Sequence, residues 1–204
     1  MSRSTNRNYK KGKPHRDFRK FIVVAEGERE DEYFGFFNSV NQRVSVEIVE
    51  REEGASAVKH LLDRLTTYNY KNGIEPEDFV WFVLDVDRWP REHIDELNEN
   101  CEREENWFLS ISNQCFEVWL FYHLVPEIPA EHNTAKKLKR ALNDKTPGGY
   151  NRDKFAILIR EAADNASAAD HHPDHYFPEK GVSKVYTLAY RLLDFLGNNW
   201  KDDL

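Results

Sequence analysis

Phe79-Val80-Trp81-Phe82-Val83-Leu84 is an unbroken apolar run that ends directly in Asp85-Val86-Asp87. A run this short, rich in β-branched and aromatic side chains, reads as a strand buried on both faces. Strands of that kind belong to parallel sheets covered by helices, and such sheets bind ligands at the carboxyl ends of their strands. Phe21-Ile22-Val23-Val24-Ala25 repeats the pattern and ends in Glu26-Gly27. Two buried strands, each closed by acid, therefore fix both a fold class and a place to look for chemistry.

The remaining segments fit around these strands. Glu28 to Ser39 carries Tyr33, Phe34, Phe36 and Phe37 at helical spacing, with Glu28, Glu30 and Asp31 near a helix start, where the dipole favours acids. Val44 to Val49 alternates as a second strand, and Ala55 to Tyr68 is amphipathic through Val58, Leu61, Leu62 and Leu65. Asn72-Gly73 and Pro76 mark a loop, Pro90 opens a helix to about Asn100, and Trp107 to Ile111 is a fourth strand. Ser112-Asn113 is placed to cap a helix from Cys115 to Leu124, which Pro126 and Pro129 terminate. The alternation predicts an α/β fold: a mostly parallel sheet flanked by helices with right-handed crossovers. Helices expected over 133–143, 152–169 and 182–196 are C-terminal helical additions to the same core.

At 204 residues and 40% hydrophobic, the chain is expected to form one domain with a core that needs no staples. Its two cysteines, Cys101 and Cys115, cannot supply a disulfide framework, so free thiols and a cytoplasmic location are expected. Residues 1–19 read as a basic flexible arm without the apolar stretch of a secretory leader, and no run is long enough to span a membrane. The net charge of -7 argues against general coating of nucleic acid. The distribution differs from the total: Lys10, Lys11, Lys13, Arg16, Arg19 and Lys20 cluster in the arm, and Lys136, Lys137, Lys139 and Arg140 form a second basic group.

Glu26 and Asp85 would emerge on the same sheet edge, and Asp87, two residues on, would point the same way if the backbone stayed extended. Converging carboxylates repel unless neutralised, and a hard divalent cation such as Mg2+ or Mn2+ prefers oxygen donors. The alternative is that strand-end aspartates cap helices or accept turn hydrogen bonds. Glu117 interrupts the apolar run Val118 to Phe121, where a carboxylate is costly unless paired or metal-bound. His123 lies about 240° around a helix from it, on another face. Arg152 and Lys154 suit phosphate oxygens or plain solvation. His171, His172, Asp174 and His175 lack a further ligand for zinc and read as a loop, and there is no Walker glycine-lysine loop for ATP.

Val23-Val24-Ala25-Glu26-Gly27-Glu28 with Tyr33-Phe34, Asp85-Val86-Asp87, and Ser112-Asn113-Gln114-Cys115-Phe116-Glu117-Val118-Trp119-Leu120 with His123 together resemble the RloB-like family, placed in the Toprim superfamily. Tyr150-Asn151-Arg152-Asp153 and the helix from Val182 to Leu193 extend the resemblance, which covers about residues 19–196. The chain departs from the family pattern at Glu30, Gln114 and Ser183-Lys184. The resemblance implies a Toprim-like domain over 20–204 and a metal-dependent endonuclease of antiviral defence working with a companion ATPase. By that resemblance Asp85 and Asp87 bind metal, Glu26 is a further ligand or general acid/base, and Glu117 joins the catalytic group. Glu28, Asn113, His123, Arg152 and Lys154 are the substrate-contact candidates. The substrate is nucleic acid, whether DNA or RNA (tRNA included). A homo-oligomer is left open, and no membrane contact is expected. The competing expectations are a non-catalytic nucleic-acid-binding or regulatory subunit, and a Toprim nucleotidyl or phosphoryl transferase.

Overall fold

A computed structural model describes residues 18–51 and 58–204. The apolar segments form four strands, β1 (Arg19–Ala25), β2 (Val44–Ile48), β3 (Phe79–Asp85) and β4 (Trp107–Ser112). They make one sheet in the order β2-β1-β3-β4, with every neighbouring pair parallel. All seven residues of β3 are buried, as a central strand between two helical layers requires.

Alternation along β1 splits the core. Phe21, Val23 and Ala25 face one side, and Ile22 and Val24 face the other. The second side is covered by α2 (Val58–Asn72) and α3 (Arg91–Glu102), through Leu61, Leu65, Ile94 and Leu97. The first side carries α1 (Glu28–Gly35), α4 (Glu117–Tyr122), α5 (Ala135–Lys145), α6 (Arg152–Ala156), α7 (Ile159–Ala169) and α8 (Val185–Leu196). The chain thus leaves β1 towards one face and β3 towards the other. Adjacent strands whose connections diverge in this way open a crevice between their carboxyl ends, which makes β1/β3 the switch point of the sheet.

The α/β class and the shared core of the C-terminal helices are as expected; several boundaries are not. The first helix stops at Gly35 and continues as a 3-10 turn over Phe36–Ser39. α2 runs on to Asn72, where Gly73 at φ 74 takes the left-handed turn that ends it. The start of the helix expected from Ala55, and most of the basic arm, lie outside the described residues. A turn at Ile157-Leu158 interrupts the helix expected over 152–169 and divides it into α6 and α7. Asn113 does not cap α4. Its side-chain amide donates to the Pro178 carbonyl at 3.0 Å, and Phe116 precedes the helix without a side-chain cap. Asp85-Val86-Asp87 is not extended either, because Val86–Arg88 forms a 3-10 turn.

His123 belongs to this core. It is buried, with Nδ1 3.1 Å from the Trp119 carbonyl and Nε2 2.9 Å from the Tyr33 hydroxyl. A carbonyl only accepts, so Nδ1 carries the proton and Tyr33 donates to Nε2. The pair ties α1 to α4, and burial holds the imidazole neutral by lowering its pKa to about 3. Among the described residues no helix is long and apolar enough to cross a membrane, and Cys101 and Cys115 are free and buried.

Between pH 6.5 and about 3 the unfolded chain protonates His123 while the folded chain does not, so the unfolded state binds more protons and stability falls as pH drops. In chemical denaturation across that window, wild type should lose stability more steeply than His123→Gln, by up to about 1.4 kcal/mol per pH unit. Parallel profiles would show that His123 titrates normally in the fold.

Candidate active site

β1 and β3 end side by side at the switch point, and their register, with Ala25 beside Val83, brings Glu26 level with the last residues of β3. The end of β1 is held firmly. Arg64 of α2 reaches over the sheet edge and donates to the carbonyls of Ala25 at 2.9 Å, Val49 at 2.6 Å and Glu50 at 3.0 Å. Beyond that clamp Glu26 turns towards β3. Its Oε2 accepts from the Trp89 indole at 2.5 Å and the Asp85 amide at 3.4 Å, and its Oε1 lies 3.2 Å from Arg88 Nε.

Asp85 closes β3 and is 7% exposed, and its Oδ1 is buried with no hydrogen-bond partner. Glu30 completes an acidic floor. Gly27 is the N-cap of α1, so Glu30 is the third helical residue and its side chain reaches back towards the helix start. Its carboxylate lies where a side chain on residue 27 would be: a Cβ there would sit 2.4 Å from Glu30 Oε2. Glycine leaves that space free.

Desolvation dominates the electrostatics. Burial raises the Glu26 carboxyl against the hydrogen bond from Trp89 and the charge of Arg88. Burial, reinforced by Glu26 and Glu117, raises Glu30 to about 7. Asp85 is raised well above the usual carboxylate range by burial first and then by Glu30 and Glu26. These acids are pressed together and short of water, the condition that a bound cation relieves.

The floor opens into a cavity of about 420 Å³, lined by Glu26, Glu28, Glu30, Asp85 and Glu117 together with Arg29, Arg88, Lys139 and Asn143. Glu117, the first residue of α4, also lines the cavity, with both oxygens facing cations. Arg29 Nη1 is 2.7 Å from Oε1, and Lys139 Nζ is 3.9 Å from Oε2. Glu28 is at the exposed rim, 3.6 Å from Arg51.

The other expected site residues lie elsewhere. Asp87 is exposed on the 3-10 turn, where its charge still bears on Glu26 and Asp85. Asn113 anchors the Pro178 segment and His123 is in the core. Arg152 is exposed and bonds Asp153 at 2.8 Å. Lys154 is exposed, and its backbone amide is capped by Asn151. His171, His172 and His175 lie in an exposed turn, with the His172 and His175 rings stacked at 5.2 Å.

The family model for RloB-like proteins matches residues 21–196. The chain belongs to the RloB-like family. No curated protein and no solved structure matches it. The matched span of this RloB-like chain includes both strand-end acids, α1 with Glu30, and Glu117. The donor set suits a hard divalent cation: the pocket acids offer only oxygen, and the open Oδ1 of Asp85 is a buried acceptor without a donor. Among the described residues, no three of His, Cys, Asp or Glu are already drawn together as a coordination shell. Glu26 is turned to Trp89 and Arg88, and Glu117 to Arg29 and Lys139.

Sequence reasoning passed over Glu30, Trp89, Arg29 and Arg88. In sequence Glu30 has a sufficient local explanation as an acid placed for the helix dipole. The available signal was Gly27 followed three residues later by glutamate at a helix start, the spacing that folds a carboxylate back onto the N-cap.

A buried carboxylate raised this far destabilises the fold at alkaline pH. Glu30→Gln should therefore raise the melting temperature of the metal-free protein at pH 8, by the equivalent of about 1–3 kcal/mol, with the gain shrinking towards pH 5 where Glu30 is protonated. Differential scanning calorimetry at the two pH values checks this, and an unchanged or lowered melting temperature at pH 8 contradicts it.

Proposed function

We propose that this chain is a Toprim-type, divalent-metal-dependent endonuclease that hydrolyses phosphodiester bonds of nucleic acid in antiviral defence. The observation that carries the reading is the buried Asp85 carboxylate with an open oxygen beside Glu26 and Glu30, at the switch point of a parallel sheet. Asp85, Glu30 and Glu26 would hold Mg2+ or Mn2+, and Asp87, exposed on the adjoining 3-10 turn, would add its charge to theirs. Such an ion, when bound, activates water and offsets charge on a phosphoryl oxygen.

The chain's own residues supply the remaining requirements. The clamp of Arg64 on the end of β1 and the bond from Trp89 hold Glu26 in place, so little reorganisation is needed when substrate arrives. Glu26 is suited to exchange a proton with the attacking water or the leaving oxygen. Arg29, Arg88 and Lys139 around the cavity face where the substrate's phosphate oxygens would lie. The companion ATPase implied by the family resemblance belongs to this reading, and the buried free thiols accord with a cytoplasmic setting.

A second reading, a nucleic-acid-binding subunit without catalysis, is favoured by one observation. Glu26 and Glu117 are already engaged with cationic or hydrogen-bonding partners. Purified protein incubated with labelled DNA and RNA in Mg2+ or Mn2+, with and without the ATPase, separates the two. Cleavage should require the metal, stop in EDTA, and fall on the order of 100-fold or more in Asp85→Asn and in Glu30→Gln. Cleavage undiminished in Asp85→Asn/Glu30→Gln would sink the site assignment. Binding without cleavage under every condition would establish the second reading.

A further inference from the structure

The helical layers on the two faces of the sheet differ in charge. The segment 135–156, which contains α5 and α6, carries seven basic side chains against two acidic ones. The segment 91–105, which contains α3 and the turn after it, carries seven acidic side chains against two basic ones. The two lie on opposite faces of the sheet, because α5 and α6 pack on the face of α1 whereas α3 packs on the face of α2. The net charge of -7 conceals this division.

The basic charge on α5 is ordered. Leu138, Ala141 and Leu142 are buried, and Lys136, Lys139, Arg140 and Asn143 follow one another at i, i+3, i+4 and i+7 on the opposite stripe, all exposed. The inner end of that stripe enters the cavity, which Lys139 and Asn143 line. There it meets Arg29. The Arg29 guanidinium is held by Glu117 at 2.7 Å and lies 5.4 Å from the centre of the Tyr150 ring. Glu117 also faces Lys139, so one buried carboxylate positions two cations in the cavity that Asp85 lines.

We propose that the exposed stripe of α5 is a phosphate track for a nucleic-acid strand, ending at Arg29 and Lys139, with Glu117 as the positioning residue that fixes its inner end. The inference rests on the nuclease reading for its ligand. The backbone approaches from the α5 side because the α3 side repels it, and the last contacted phosphate lies between the Arg29 and Lys139 pair and the acidic floor. The contact is to phosphate, so the track does not distinguish base sequence.

The test uses the full chain in EDTA, where nothing is cut, and fluorescence anisotropy of fluorescein-labelled single-stranded DNA and RNA oligonucleotides titrated over a range of salt. Lys136→Ala/Lys139→Ala/Arg140→Ala changes three exposed helix positions to the best helix former, so folding is preserved. It should weaken binding of both oligonucleotides by tenfold or more and reduce the slope of log affinity against log salt by about 2. Lys71→Ala/Arg103→Ala/Lys201→Ala removes equal charge from exposed positions on other elements and should change the slope little. Equal losses in the two triples, or none in the first, overturn the track while leaving the nuclease reading intact. A wild-type chain that binds neither oligonucleotide overturns both. Glu117→Gln, measured by Mn2+ titration calorimetry, should bind the ion within about twofold of wild type. A loss of tenfold or more makes Glu117 a ligand and overturns its positioning role.

Discussion

The parallel register of β1 against β3, with Ala25 beside Val83, decides where two buried strands stop and where their acids begin. A parallel pair cannot be joined by a hairpin, so each strand leaves through a helix on one face or the other. Here the exits diverge, α1 to one face and α3 to the opposite one. The gap this opens is floored by whatever residues end the strands. Arg64 makes the arrangement rigid by tying the last carbonyl of β1 and the two carbonyls just after β2 to α2 through three hydrogen bonds. Without that register Glu26 and Asp85 would not share a pocket, and Glu30 would have no carboxylates to crowd.

The crowding has a thermodynamic consequence. Three carboxylates in one partly desolvated space oppose folding at neutral pH, since each charged form loses water and gains like-charged neighbours. The surrounding structure offsets this unevenly. Glu26 receives the Trp89 indole, the Asp85 amide and Arg88, whereas Asp85 keeps a buried oxygen with no donor. An acid floor tolerated at such expense is expected where binding, rather than stability, sets the residue choice. Cysteine follows the opposite logic: Cys101 and Cys115 are buried and burial pushes both thiols up, so they pack as small apolar residues.

Much of this was legible in the sequence because the signals were local and repetitive. The buried runs at 21–25 and 79–84 announce central parallel strands, and the acid after each marks the binding edge. What was not legible depended on contacts between distant segments or on a single backbone angle. Asp87 was expected beside Asp85 on an extended strand, but the chain turns at Val86 and carries it to the surface. His123 was a substrate candidate by its place after the Phe116-Glu117 segment, and only the approach of Tyr33, 90 residues away, makes it a core hydrogen-bonding group. Asn113 looked like a cap until the C-terminal segment, through the Pro178 carbonyl, claimed its amide. Glu30 was the costliest omission, since its acidic character near a helix start already had a sufficient local explanation.

Glu117 shows why a residue's type underdetermines its role. In sequence, an acid inside an apolar run calls for a partner, and a metal ion or a base satisfies that need equally well. The fold distinguishes them by what stands nearby. Arg29 comes from the helix that follows β1 and Lys139 from α5, so Glu117 joins two elements through cations that would otherwise repel one another. A carboxylate so occupied contributes less free acceptor capacity to the floor than Asp85 does. Its negative charge still reaches Glu30 and Asp85 and adds to the pressure on them. Moving a cation from Glu117 towards an incoming phosphate would expose that charge to the acid floor, so anion binding on the wall and cation binding on the floor should favour one another. In this sense the acids and bases that line the crevice form one electrostatic unit, linked through Glu117.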